Sequence, residues 1–138
     1  MKRLLVDTNI VIDLLAQREP YYLEAAQLFS KADRKEVELA VSGLTFANTH
    51  YILTKLKSAR EARLILGKFK VLVTAHSLDD KIIELALNDE KFKDFEDGLQ
   101  YYTAIENKVD IIITRNKKDF KNAALPVLTA KEFLSSNN

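Results

Sequence analysis

The sequence contains no cysteine and no tryptophan, and only three glycines and two prolines among its 138 residues. The absence of cysteine excludes disulfide scaffolds, cysteine-ligated zinc, iron–sulfur clusters and thiol catalysis. No run of 18 apolar residues occurs, and acidic residues interrupt the apolar amino terminus too early for a signal peptide. We therefore expect a cytoplasmic protein without a membrane span. The scarcity of glycine and proline favours helices joined by short connections.

An excess of charge of either sign is also missing, since 21 Lys and Arg stand against 20 Asp and Glu, for a net charge of +1. The length fits one domain over residues 1–138, and the 47% hydrophobic content is typical of a globular chain. The balance is uneven along the chain, because residues 55–70 are mainly basic and residues 79–97 mainly acidic. The near-neutral total therefore says little about a nucleic-acid partner.

Short apolar runs and helically spaced apolar residues alternate along the chain. Strands are predicted at 4–6, 37–41, 70–74, 111–113 and 127–128. Helices are predicted at 10–16, from Pro20 to 32, from Ser42 to 57, from 58 onward, from 77–80 to 87, from 95 or 97 to 108, and after 129. Such an alternation, with β-branched runs that have no polar face, indicates a three-layer α/β/α domain around a parallel sheet of four or five strands.

Three carboxylates from distant stretches are predicted at the edge of this sheet where the strands end. Asp7 directly follows the first strand, Asp97 lies at the start of a helix, and Asp119 follows the strand at 111–113. Open parallel sheets bind ligands at that edge. Because clustered carboxylates repel one another unless a cation lies among them, and because oxygen ligands suit Mg²⁺ or Mn²⁺, the pattern predicts a site for such a cation. A metal bound there can lower the pKa of water and support phosphodiester cleavage.

Each of these residues also has a plain structural interpretation. Asp7 and Asp97 both stand where a helix-capping residue would, and Asp119 belongs to a turn-like segment. Asn48 lies on an apolar helix face, so its amide is either satisfied in the core or directed into a site. The joint placement of the residues, rather than any one of them, supports the metal-site prediction.

Four ordered motifs span nearly the whole chain. They are LVDTNI at 5–10, SGLTFAN at 42–48, DFEDGLQ at 94–100 and ITRNKKDF at 113–120. Together they make the chain resemble the PIN domains, and among these the single-domain, VapC-type toxins of bacterial toxin–antitoxin pairs. The resemblance implies a ribonuclease that depends on Mg²⁺ or Mn²⁺, with RNA as substrate, a cognate antitoxin as partner, a homodimeric state and no membrane attachment.

The resemblance also implies roles for the matching positions. Asp7, Asp97 and Asp119 match the catalytic, metal-binding carboxylates. Supporting polar residues are expected beside the metal at Thr8, Asn9, Asn48, Asp94, Glu96, Thr114 and Asn116. The basic residues next to Asp119 are expected to contact backbone phosphates, namely Arg115, Lys117 and Lys118.

Position 48 departs from the family pattern, because most PIN nucleases carry Glu where this chain has Asn48. The amide removes one negative charge and one strong metal ligand, which should weaken the binding of a second cation. Either Glu96 or Asp94 is a candidate to supply the missing carboxylate, and both remain open. The first hypothesis is therefore an endoribonuclease that acts on single-stranded or structured RNA. The alternative is a catalytically weak or inactive PIN-fold module that binds RNA or protein.

Overall fold

The computed structural model describes residues 1–136, which form a five-stranded sheet flanked by seven helices. The strands are β1 Lys2–Val6, β2 Val37–Ser42, β3 Val73–His76, β4 Ile111–Ile113 and β5 Val127–Leu128. The helices are α1 Thr8–Leu15, α2 Tyr22–Asp33, α3 Gly43–Leu56, α4 Ala59–Lys70, α5 Asp80–Leu87, α6 Phe95–Glu106 and α7 Ala130–Ser136, with a short 3₁₀ helix at Lys117–Phe120. The predicted three-layer α/β/α architecture is confirmed. Within the described residues, no helix is both long and apolar enough to cross a membrane.

The strand order is β3-β2-β1-β4-β5, and every neighbouring pair is parallel. Leu5 of β1 lies opposite Ala40 of β2 on one side and Ile112 of β4 on the other. The chain first builds the sheet outward through β2 and β3, then returns to add β4 and β5 on the opposite side of β1. The order therefore reverses between β1 and β4, and a crevice at the ends of these two strands is the expected ligand site.

Both faces of the sheet are buried, as the β-branched strand runs predict. Leu4 and Val6 of β1 face the side covered by α1, α2, α3, α4 and α7. Leu5 faces the opposite side, where it packs with residues of α6 and the segments around it, such as Tyr101 and Phe120. Helix α5 then packs on α6 through Ile82. This double covering fixes the ends of β1 and β4 within rigid surroundings.

The prediction of a strand at 70–74 is wrong at its start, since β3 begins at Val73. Helix α4 continues to Lys70 because Leu66 and Phe69, three residues apart, both lie on its buried face. Val71 is then 85% exposed in the turn that separates the helix from the strand. Helical packing against the core overrides the β-type composition of this stretch.

One predicted helix start also needs correction. Pro20 was expected to begin a helix, but α2 begins at Tyr22, because the Tyr21 amide donates to the Arg18 carbonyl at 3.1 Å and closes a turn there. The helix predicted from Ser42 is confirmed, since Ser42 is the N-cap of α3, although its hydroxyl makes no capping hydrogen bond. The later start of α2 does not move the ends of β1 and β4.

Candidate functional site

Asp7 is both the N-cap of α1 and the first polar residue after β1. One carboxylate oxygen accepts a hydrogen bond from the Thr8 amide at 2.8 Å, and the other accepts one from the Thr114 hydroxyl, also at 2.8 Å. The residue is 8% exposed, and this burial is the main reason why its pKa is raised, although the two hydrogen bonds act in the opposite direction. The ends of β1 and β4 thus fix the orientation of this carboxylate.

Asp97 lies in the first turn of α6 and is half-buried, while Asp94 caps the helix by accepting the Glu96 amide hydrogen bond at 2.8 Å. Partial burial is the largest cause that raises the pKa of Asp97 to about 7. Four other carboxylates raise this pKa further, those of Asp94, Asp119, Asp7 and Glu96. Charges that act on one group in this way must lie near that group, so all four carboxylates are close to Asp97.

A tight turn after β4 carries the third carboxylate. The buried Thr114 hydroxyl accepts a hydrogen bond from the Asn116 amide at 3.1 Å, and the Asn116 carbonyl accepts one from the Asp119 amide at 3.0 Å. Asp119 is exposed in the 3₁₀ helix, and its negative charge helps to raise the pKa of Asp7. The turn therefore brings Asp119 back toward the end of β1.

The three carboxylates line one cleft of about 290 Å³ at this edge of the sheet, which we call the carboxylate cleft. Its lining side chains are all polar: Asp7, Thr8, Asn9, Asn48, Asp94, Glu96, Asp97, Gln100, Asn116 and Asp119. The structure thus brings together every predicted catalytic residue and every predicted supporting residue except Thr114, which lies behind Asp7 and bonds to it. Gln100 is an addition that the sequence analysis did not make.

The donor atoms of the carboxylate cleft fit a hard divalent cation. They are carboxylate, hydroxyl and amide oxygens, and the raised pKa of Asp97 shows a repulsion that a cation would relieve. As the side chains stand, residues 1–136 contain no group of three or more His, Cys, Asp or Glu arranged to hold a metal ion. The fit therefore rests on the chemistry of the donors and not on a preformed coordination shell.

Asn48 points into the carboxylate cleft, which decides between its two interpretations. Its amide nitrogen donates a hydrogen bond to the Glu96 carboxylate at 3.0 Å and so links α3 to α6. Of the two acidic residues considered for the missing ligand, Glu96 is the one bonded to Asn48, whereas Asp94 caps α6.

A buried polar network beneath the carboxylate cleft was missed by the sequence analysis. The Thr8 and Thr45 hydroxyl oxygens lie 2.9 Å apart, and the Gln100 amide donates to them at 3.2 and 3.1 Å. This network joins α1, α3 and α6. A sequence signal did exist, because Gln100 follows Asp97 by three residues and Thr45 precedes Asn48 by three, which places each pair on one helix face.

The side chain of Arg115, which is predicted to contact phosphate, instead contacts other residues of the protein. Its guanidinium forms two hydrogen bonds, at 2.8 and 3.2 Å, with the fully buried Asp13 carboxylate, which also pairs with Arg18 at 3.0 Å. The same guanidinium lies over the Tyr21 ring, 3.9 Å from its centroid. Arg115 thus connects the segment after β4 to α1 and the start of α2.

The two lysines predicted to contact phosphate differ in their surroundings. The Lys117 ammonium lies 3.0 and 3.1 Å from the two carboxylate oxygens of Glu132. Lys118 instead lines a second pocket of about 300 Å³, next to the carboxylate cleft. The lining of this second pocket is Lys91, Lys93, Asp94, Asp97, Lys118, Asp119, Lys121 and Asn122.

Comparison with known proteins gives one family and several relatives. A family model described as the PIN domain matches residues 3–118. Ribonuclease VapC1 of Aquifex aeolicus is 26% identical over 135 residues, which are 96% of this chain and 93% of that protein.

Solved structures share the fold. The toxin–antitoxin complex from Klebsiella pneumoniae contains a chain of 25% identity that superposes with a TM-score of 0.68, over 91% of this chain and 96% of that one. VapBC2 from Rickettsia felis, solved on a DNA fragment from its promoter, gives 22% identity and a TM-score of 0.65 over the same shares.

Proposed function

The chain belongs to the PIN domain family, and on that premise we propose that it is a divalent-metal-dependent endoribonuclease, the cytoplasmic toxin of a toxin–antitoxin pair. The observation that supports the proposal is the meeting of Asp7, Asp97 and Asp119 in one cleft at the edge of the sheet where the strands end. Ribonuclease VapC1, which aligns over nearly the full length of both chains, supports the same activity. The proposal treats residues 1–138 as one domain.

In this proposal Asp7, Asp97 and Asp119 hold Mg²⁺ or Mn²⁺. Such a cation supplies stabilisation of the charge on a phosphodiester and lowers the pKa of water. The Thr8 amide and the Thr114 hydroxyl keep Asp7 in one orientation, so its binding geometry does not depend on the substrate. The network of Thr45 and Gln100 fixes the helices behind the carboxylate cleft.

Glu96 takes over the role of the acidic residue that most PIN nucleases carry at position 48. Two features support this assignment: the Asn48 amide donates directly to the Glu96 carboxylate, and both side chains line the carboxylate cleft. The Asn48 amide holds the Glu96 carboxylate in place. This carboxylate supplies the negative charge that the cleft lacks because position 48 is Asn and not Glu.

RNA, an antitoxin and a second copy of the chain are the proposed partners. The antitoxin would cover the carboxylate cleft with an Arg or Lys side chain. This proposed partner is supported by the relatives solved as toxin–antitoxin complexes.

The proposed homodimer is supported by large apolar side chains that remain exposed on α2 and α3, among them Leu23, Tyr51 and Leu56. Sedimentation equilibrium would contradict the homodimer if the isolated protein were monomeric at all concentrations.

The test is an RNA cleavage assay on purified protein with Mg²⁺ or Mn²⁺, with EDTA, and with two variants. Asp7→Asn keeps the size of the side chain but removes its charge, and we expect the cleavage rate to fall about 100-fold or more, since even outer-shell changes at metal sites cost about 10–100-fold. Asp33→Asn, on the exposed end of α2, is the matched control and should cut as the wild type does.

Two results would contradict the proposal. Equal residual cleavage by the wild type and Asp7→Asn would indicate a contaminating nuclease. No cleavage with either metal, together with retained RNA binding, would favour the inactive binding module instead.

A further inference from the structure

The second pocket beside the carboxylate cleft is lined by four lysines together with three aspartates and an asparagine. We call it the lysine pocket, after its four lysines Lys91, Lys93, Lys118 and Lys121. It shares three lining residues with the carboxylate cleft, Asp94, Asp97 and Asp119. The carboxylate cleft and the lysine pocket are therefore adjacent on the surface. The first is lined by acidic and neutral polar residues, and the second adds the four lysines.

Two short segments build the lysine pocket, and each has a buried phenylalanine next to its lysines. Phe92 is 7% exposed between the exposed Lys91 and Lys93, and Phe120 is 2% exposed next to the exposed Lys121. The two rings pack edge to face with their centroids 6.3 Å apart. Because the phenylalanine side chains point into the core, the lysine side chains beside them point toward solvent. The contact between the two rings therefore places the lysines of both segments around the same pocket.

A hydrogen bond adds to the aromatic contact. The Asn122 amide donates to the Lys91 carbonyl at 3.1 Å, and the Phe92 ring also stacks on Tyr101 with a centroid distance of 4.8 Å. The backbone positions of the four lysines are thus set by the fold, although the lysine side chains themselves extend into solvent.

None of these four lysines forms a salt bridge within residues 1–136, although the charge of Lys91 helps to lower the pKa of Asp89. The lysines that do form salt bridges there are Lys31 with Glu36, Lys81 with Glu106 and Lys117 with Glu132. The four ammonium groups outnumber the three carboxylates of the same lining, which favours the binding of an anion on the lysine side of the pocket.

We propose that the lysine pocket binds the backbone phosphates of single-stranded RNA on one side of the cleaved bond, so that the strand passes from the carboxylate cleft across Lys93 and Lys118. This inference rests on the proposed function and adds to it the direction in which the RNA crosses the surface. It also answers a physical difficulty, because a cleft of carboxylates repels a polyanion unless positive charge lies close by. Of the three basic residues predicted to contact phosphate, only Lys118 belongs to this surface.

The test measures RNA binding without cleavage, in EDTA, with a labelled single-stranded RNA and fluorescence anisotropy between 50 and 200 mM salt. The first variant replaces Lys91, Lys93, Lys118 and Lys121 with Gln. The matched control replaces four exposed lysines near the starts of β1, β2 and β3, at the opposite edge of the sheet: Lys2, Lys35, Lys68 and Lys70. Both variants remove the same total charge.

We expect the lysine-pocket variant to bind RNA about 100-fold more weakly at 0.1 M salt, and the slope of log K against log salt to become shallower by about 2 to 3. Each lysine that contacts a phosphate of a single strand contributes about 0.7 to this slope. The control should stay close to the wild type. Single variants Lys93→Gln and Lys118→Gln, each expected to remove about 0.7 of the slope, test the same point if the quadruple variant fails to fold.

The inference is overturned if the lysine-pocket variant and the control bind with the same affinity and slope. A parallel cleavage assay separates this failure from that of the function: a wild type that cuts RNA while the lysine-pocket variant binds normally overturns only the inference. A wild type that neither cuts nor binds RNA overturns both.

Discussion

Asp97 is subject both to burial and to the repulsion of four other carboxylates in the carboxylate cleft. Its pKa is raised from 3.8 to about 7 in the folded protein, first by burial and then by four neighbouring carboxylates. Between these two pH values the folded protein binds one more proton at this side chain than the unfolded chain does. Stability from this group therefore falls as the pH rises from about 4 to 8, because the proton is lost while the repelling charges remain.

We predict that Asp97→Asn raises the free energy of unfolding at pH 8 by about 1 kcal/mol, a value reduced for the solvent screening of a half-exposed side chain. The gain should shrink as the pH falls to 4, where the wild-type carboxyl is protonated in the folded state. Urea unfolding at several pH values measures this, with Asp33→Asn as control. A gain that grows toward low pH would be the opposite of what this pKa requires.

At the scale of elements, Asp13 joins α1 to the segment that carries Asp119. Its carboxylate is fully buried and pairs with Arg18 and Arg115, whose guanidinium groups remain partly exposed. Removing one member of a buried ion pair leaves its partners without a counter-charge, which is more destabilising than losing an exposed pair. This ion pair therefore contributes to stability and to the placement of the turn after β4.

We predict that Asp13→Asn lowers the free energy of unfolding by about 2–4 kcal/mol, since two charged hydrogen-bond donors lose their charged acceptor. Arg18→Gln, which removes the more exposed partner, should cost about 1 kcal/mol or less. Chemical denaturation of both variants is the measurement. An Asp13→Asn protein as stable as the wild type would show that the arginines find water or other acceptors at no cost.

Strand β4 could be predicted from the sequence, whereas the ion pair between Arg115 and Asp13 could not. The run Ile111–Ile113 is β-branched and has no polar residue, which is typical of a strand buried on both faces, and this predicts that the polar residues after it lie at the edge of the sheet. The pairing of Arg115 with Asp13 could not be predicted, because 102 residues separate them and neither position has a local pattern that marks an ion pair. One sequence shows which residues end a strand, but it does not show which charges meet.

At the scale of the whole molecule, the net charge of +1 conceals a local arrangement of opposite charges. Lys91 and Lys93 lie in the stretch 79–97, whose acidic residues outnumber its basic ones, so the sequence predicts a negative surface for this region. Folding sets them beside Lys121 at the edge of the carboxylate cleft. The basic stretch 55–70 contributes no residue to the lining of the carboxylate cleft or of the lysine pocket. The local field, rather than the total charge, determines what this surface attracts.

The central claim is that Asp7, Asp97 and Asp119 act together as one divalent-cation site. Calorimetric titration of Mn²⁺ at pH 8, where Asp97 is ionised, tests it most directly. We predict that the wild type and Asp33→Asn bind Mn²⁺ equally well, and that Asp7→Asn, Asp97→Asn and Asp119→Asn each weaken binding by about 10-fold or more. Equal binding of Mn²⁺ by the wild type and all three cleft variants would contradict the account.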